Sequence, residues 1–295
     1  MSDFYQNGII TNLHNLRVQD TESLEKELLA FSKARPMGLV LPSLYSELLS
    51  PALGNIVKEL KDVKYLHQIV IGLDRATKYE YRDALNYFSK LPQEHVVLWN
   101  DGPRLKALDK KLQKLKLAPQ EMGKGRNVWY CFGYLLAANQ VESVALHDCD
   151  IVTYTRDLLA RLIYPVANPN FNYQFCKGYY SRVSTNKING RVCRLLVTPL
   201  IRSLMKIFPA NDYLEYLNSY RYALSGEFSL RTEVLNDIRI PSDWGLEIGV
   251  LSEMNRNYAN NRICQVDIAD KYDHKHQELS EADASKGLSL SLIHI

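Results

Sequence analysis

The sequence has no C-x-x-C pair, and its five cysteines (Cys131, Cys149, Cys176, Cys193 and Cys264) stand far apart in a chain of 295 residues. An odd, dispersed set argues against a disulfide framework and fits a reducing cytoplasm. There is no run of five like charges, and 36 Lys and Arg against 33 Asp and Glu leave a net charge of +3, so wholesale binding to nucleic acid is not indicated. No stretch approaches eighteen uninterrupted apolar residues, and Met1-Ser-Asp-Phe-Tyr-Gln carries no basic leader region, so neither a membrane span nor secretion is expected. Internal repeats, low-complexity linkers and long Pro/Gly/Ser spacers are also missing.

What the chain does have is core-building material, 46% hydrophobic residues, which excludes disorder as the main state. Short apolar runs at Met37 to Pro42, Gln68 to Leu73, His95 to Trp99 and Ser143 to His147 read as buried strands. Between them, Leu44 to Leu60, Tyr79 to Lys90, Arg104 to Leu115 and Asn127 to Asn139 read as helices, after a first helix opened by Asp20 or Thr21. This alternation predicts an α/β fold with a mostly parallel, Rossmann-like sheet and helices on both faces. The expected organisation is a helical leader over 1–36 and one domain over 37–289, with halves dividing near residue 152. Residues 290–295, Leu-Ser-Leu-Ile-His-Ile, are what a sequencing-adapter string encodes in frame, so they are expected to be a scar with natural sequence lost beyond it.

Ligands of parallel sheets bind outside the carboxyl ends of the strands, which directs attention to Pro42 to Glu47, Asp74 to Thr77, Asn100 to Gly102 and His147 to Asp150. Asp148-Cys-Asp150 offers two carboxylates on a turn, suited to Mg²⁺ or Mn²⁺ bridging phosphates, or else a solvated acidic turn. Chance alone supplies about one such D-x-D in a chain of this composition, so its placement carries the information. Gly123-Lys-Gly-Arg-Asn127 reads either as a phosphate-binding approach to a helix or as a basic loop capping it. Asp273-His-Lys-His276 puts His274 and His276 on one side of an extended segment, as site partners or as an exposed polar loop. Arg191, with Lys187 and Arg194 near it, could meet a phosphate. Glu227 and Glu247 are acids among apolar neighbours, which are usually paired or functional.

Together these residues resemble the glucosyl-3-phosphoglycerate synthases, retaining glycosyltransferases of the GT-A fold. The likeness runs from about Leu39 to Leu279. It is strongest in Lys177-Gly-Tyr-Tyr-Ser-Arg, Asn189-Gly-Arg-Val-Cys-Arg, Ser225-Gly-Glu-Phe, Trp244-Gly-Leu-Glu-Ile-Gly, and Gln265-Val-Asp through His276. The resemblance implies transfer of glucose from a nucleotide sugar, UDP-glucose first, to 3-phosphoglycerate, by a homodimer using Mg²⁺ or Mn²⁺. It implies metal ligation by Asp150 and His274, with Asp150, Glu247 and Lys124 as the catalytic group. Donor contacts are implied at Pro42, Ser43, Leu44, Glu47 and Asp74, and at Lys124, Asp148, Leu224 and Trp244. Acceptor contacts are implied at Gly190, Arg191 and His276. The chain differs from the family at Tyr45-Ser-Glu47, at His276 and at Cys193. The alternatives are a relative that uses mannose or a glycerate acceptor, a nucleotidyltransferase, and an inactive nucleotide-sugar binder.

Overall fold

A computed structural model describes residues 8–14, 16, 20–119, 121–184, 187–188, 190–242 and 245–273. The first part runs β1 (Thr11–Leu13), α1 (Thr21–Phe31), β2 (Met37–Leu44), α2 (Tyr45–Leu48), α3 (Pro51–Leu60), β3 (Leu66–Asp74), α4 (Lys78–Phe88), β4 (Glu94–Trp99), α5 (Pro103–Lys114), α6 (Lys124–Ala138) and β5 (Ser143–Leu146). It continues with α7 (Arg156–Ala167), β6 (Phe175–Tyr180), β7 (Val183–Ser184), β8 (Lys187–Ile188), α8 (Thr198–Ile207), α9 (Asp212–Asn218), β9 (Phe228–Arg231), α10 (Leu246–Asn257) and β10 (Ile263–Ala269). Among the described residues no helix is long and apolar enough to cross a membrane.

Eight strands form one sheet in the order β1-β10-β6-β9-β5-β2-β3-β4. All pairings are parallel except those of β9, which runs antiparallel to both β5 and β6. Side chains alternate across the strands, so each strand feeds two cores. Leu39, Leu41, Ile69, Ile71, Ala145 and Val266 pack on one face with residues of α1, α3 and α7. Val40, Val70, Val144, Leu146 and Ile263 pack on the other with residues of α6, α9 and α10.

Three local departures from the sequence expectation bear on the site. The helix expected over Leu44 to Leu60 is two helices, because Ser50 accepts from the Ala52 amide and Pro51 occupies the first turn, a strong restart signal. Strand β2 does not stop at Pro42 but continues to Leu44 beside β3. Its other neighbour, β5, pairs only as far as Val40, so the proline imide sits where no ladder partner needs it. Helix α6 begins at Lys124, three residues before its expected start, so Lys124 and Arg126 belong to a first helical turn and not to a preceding loop.

Helix α6 lies against β3 at Gly72, whose carbonyl accepts from Asn127 Nδ2 at 2.8 Å. A Cβ at Gly72 would overlap Asn127 Oδ1 and Cys131 Sγ. Gly72→Ala is therefore expected to push α6 off the sheet and lower stability by about 1–3 kcal/mol. Thermal unfolding checks this, and an unchanged midpoint would mean that the close approach is not required.

Candidate active site

The carboxyl ends of β2, β3 and β5 and the first turns of α6 and α10 bring the acidic and basic residues together. Lys124, at the first position of α6, donates from Nζ to Asp148 Oδ1 at 2.6 Å and to Glu247 Oε1 at 3.0 Å. Asp148 lies on the turn that leaves β5, and Glu247 lies in the first turn of α10. Burial alone would lower the Lys124 pKa, but the charges of Asp148 and Glu247 outweigh it and hold the ammonium well above the usual lysine range. Asp150, on the same turn as Asp148, has its carboxyl pushed up by burial and then by the neighbouring charges of Asp148 and Glu47.

The loop that enters β9 completes this wall. A Cβ at Gly226 would overlap Asp148 Oδ2 and crowd Lys124 Nζ, so a side chain there would displace the Asp148–Lys124 pair. Next to it Glu227 is fully buried and accepts from Tyr272 Oη at 2.6 Å. Burial, then the charge of Asp148, raises its pKa, against the opposing effect of the Tyr272 hydroxyl. Tyr272 stacks on Tyr180 with ring centroids 3.6 Å apart. One residue further, the Asp273 carbonyl accepts from the Val152 amide at 2.9 Å and its own amide donates to Thr153 Oγ1 at 3.0 Å. The chain after β10 is thus fastened to the residues that directly follow Asp150.

The remaining sequence candidates fall into three groups. Ser43 is buried and Leu44 exposed at the end of β2, and Glu47 in α2 is close enough to act electrostatically on Asp150. Asp74 is buried at the end of β3, accepts from Asn100 Nδ2 at 3.2 Å and has its pKa raised chiefly by burial. Gly190 takes a left-handed backbone with φ 73°, and its carbonyl accepts from the Arg194 amide at 3.1 Å, opening the helical turn on which Arg191 is exposed. Leu224 is half-buried between Tyr222 and the Ser225-Gly226 loop. Trp244, His274 and His276 lie outside the described residues.

Two participants were not singled out from sequence as parts of this site. Gly226 shows itself only by the contacts a side chain would make. Lys177 is buried beneath the cluster and donates from Nζ to the Ser225 carbonyl at 2.7 Å, fixing the loop that carries Gly226. Burial lowers its pKa to about 8, despite the nearby charges of Glu247 and Glu227. The only sequence signal was a lysine inside an otherwise apolar strand, Phe175-Cys-Lys-Gly-Tyr-Tyr.

No family model matches the chain. A glucosyl-3-phosphoglycerate synthase of Persephonella marina is 49% identical over 288 residues, 98% of this chain and 71% of the relative. The chain belongs to the glucosyl-3-phosphoglycerate synthase family. A second synthase, from Methanococcoides burtonii, is 41% identical over 97% of this chain and 70% of its own length. Among solved structures, the glucosyl-3-phosphoglycerate synthase of Mycobacterium tuberculosis in complex with Mn²⁺, UDP-glucose and phosphoglyceric acid superposes with a TM-score of 0.66 at 21% identity. It covers 96% of this chain and 85% of that one. At that identity the likeness speaks for the fold, the GT-A arrangement of a nucleotide-sugar transferase. The synthase family thus supplies the architecture in which Lys124, Asp148 and Glu247 meet.

The buried lysine gives a test by pH. Its folded pKa of about 8 lies below the ordinary lysine value of 10.5, so between these values the unfolded chain binds more protons. Stability from this group is present above about 10.5 and lost as pH falls to about 8. The unfolding free energy of the wild type relative to Lys177→Met is therefore expected to rise across that window, by up to about 3 kcal/mol. A pH-independent difference in denaturant titrations would show that Lys177 titrates normally.

Proposed function

We propose that this chain transfers the glucosyl group of UDP-glucose to 3-phosphoglycerate with retention at the anomeric carbon, giving glucosyl-3-phosphoglycerate and UDP. The observation that carries the reading is the Lys124 ammonium held between Asp148 and Glu247, where three separated segments meet at the carboxyl edge of the sheet. The reading is further supported by family membership and by the ligands of the Mycobacterium tuberculosis structure. The five cysteines, all free and buried, fit a cytoplasmic enzyme.

In this reading the acceptor hydroxyl bonds to the anomeric carbon as the bond from that carbon to the diphosphate oxygen breaks. The departing diphosphate takes the hydroxyl proton on one of its oxygens. No protein nucleophile is needed. Lys124 places a fixed positive charge where the leaving group gains negative charge, an effect that needs no reorganisation during the reaction. Asp148 contacts the donor and keeps Lys124 aligned, while Glu247 orients the transferred sugar. Pro42, Ser43, Leu44, Glu47, Asp74, Leu224 and Trp244 contribute the remaining donor contacts. Gly190, Arg191 and His276 position the acceptor, a role that can supply several kcal/mol of barrier reduction.

The donor set fits a hard divalent cation. Asp150 shares its surroundings with Asp148, Glu47 and Glu227, and burial, followed by the charges of these carboxylates, raises its pKa. Oxygen ligands of this kind suit Mg²⁺ or Mn²⁺. Among the described residues no group of three or more His, Cys, Asp or Glu is arranged to hold a metal, and His274, the other protein ligand implied by the resemblance, lies outside them. When bound, the ion neutralises charge on the diphosphate.

Purified enzyme mixed with UDP-glucose and 3-phosphoglycerate is expected to release UDP and an α-linked product, read by NMR. Excess chelator or Asp150→Ala is expected to abolish turnover. Lys124→Ala should lower kcat by about 10²–10³-fold, whereas Arg191→Ala should mainly raise the acceptor KM. Full turnover in chelator would remove the metal from this reading, and no transfer to any phosphoglycerate or glycerate acceptor would overturn it.

A further inference from the structure

Glu227 is one of the acids that the sequence sets among apolar residues, and the transfer proposed above gives it no part. It lies immediately before β9 and is 0% exposed, so it cannot touch a substrate and can act only through its neighbours. A buried carboxyl is costly unless it is bonded, and an apolar side chain would fill the same space without that cost. The backbone around it is fixed. The Gly178 amide donates to the Glu227 carbonyl at 3.0 Å, Ser225 Oγ donates to the Gly178 carbonyl at 2.6 Å, and Lys177 Nζ holds the Ser225 carbonyl at 2.7 Å. The carboxyl is therefore a fixed point, one residue beyond the glycine that passes beside Asp148.

What this point holds is the chain leaving β10. Tyr272 Oη donates to Glu227 Oε1 at 2.6 Å, the Tyr180 hydroxyl interacts with the same carboxylate, and the two rings stack at an interplanar angle of 8°. A hydrogen bond to a carboxyl group is directional, whereas stacked rings can slide over one another, so the hydroxyl fixes where Tyr272 sits. The next residue, Asp273, clasps the exit of the acidic turn: its amide donates to Thr153 Oγ1 and its carbonyl accepts from the Val152 amide. At its entrance the same turn is held by the His147 amide, which donates to the Val40 carbonyl at 3.2 Å. Asp150 thus lies between an entrance tied to the sheet and an exit tied to Glu227 by way of Tyr272.

We propose that Glu227 and Tyr272 are positioning residues for the metal site: their hydrogen bond seats Asp273 on the turn and so fixes the Asp150 carboxylate where a divalent cation would meet it. Neither is a metal ligand or a substrate contact in the transfer proposed above, and the inference rests on the Asp150 metal site of that reading. Groups that orient a ligand without binding the ion commonly set its affinity by about 10–100-fold.

Mn²⁺ is the probe, titrated into the full chain with saturating UDP and followed by the EPR signal of the free ion. Tyr272→Phe, which keeps the ring and its stack, is expected to weaken Mn²⁺ binding about tenfold, and Glu227→Ala at least as much. Glu227→Gln keeps an oxygen that accepts the Tyr272 hydroxyl and should bind Mn²⁺ nearly as the wild type does. Tyr164→Phe removes the same kind of bond, to Glu27 on α1, and should leave the affinity unchanged whatever its effect on stability. Turnover of Tyr272→Phe should recover as Mn²⁺ is raised, because mass action restores a weakly held ion and not a lost catalytic group. Should Glu227→Ala fail to fold, Tyr272→Phe alone decides. Wild-type affinity in Tyr272→Phe, an equal loss in Tyr164→Phe, Glu227→Gln as weak as Glu227→Ala, or no Mn²⁺ binding by the wild type would overturn the positioning role. Absence of any transfer while Mn²⁺ binding still depends on this hydrogen bond would sink the proposed function and leave the positioning role standing.

Discussion

The Lys124 ammonium is the point on which the site turns. Its two carboxylate partners come from the turn after β5 and from the first turn of α10, segments about a hundred residues apart in sequence. Without the positive charge, Asp148 and Glu247 would face each other and Asp150 across a partly buried space, and their mutual repulsion would pull the segments apart. The lysine's own placement depends on α6 lying close over Gly72 and on the first helical turn starting at residue 124. Sheet packing, helix start and charge balance therefore act on one nitrogen atom.

The reversed strand β9 explains why so many groups reach the same edge. Between β5 and β6 it runs opposite to both neighbours, so its beginning, not its end, lies at the carboxyl edge of the parallel strands. This brings Gly226 under Asp148 and buries Glu227 where it can receive the Tyr272 hydroxyl. Lys177 on β6 then holds the entering loop by its Ser225 carbonyl. A buried acid, a buried lysine and two stacked tyrosines together form a floor beneath the half-buried Lys124 and its two partners.

Much of this was legible in the sequence. Alternating apolar runs and amphipathic stretches located β2, β3, β4 and β5 and the helices between them, because a parallel sheet buried on both faces writes itself as continuous apolar segments. Asp148 and Asp150 could be placed by the rule that ligands gather at strand carboxyl ends, and the matching blocks in the second half pointed to the family. Other features were hidden for physical reasons. Ser50-Pro51 restarts a helix without interrupting its apolar periodicity, so two helices looked like one. The rule about strand ends misses a strand that runs backwards, which is why Gly226 escaped notice.

Cys149 sits between the two aspartates, yet it is buried, and burial pushes its thiol well above the usual range, with Ser43 as a hydrogen-bonding neighbour. At neutral pH its sulfur stays protonated and turned into the protein, so the turn offers an arriving ion oxygen but no thiolate. The middle residue of the motif thus packs into the core and anchors the turn, while the two aspartates beside it stay partly open to solvent.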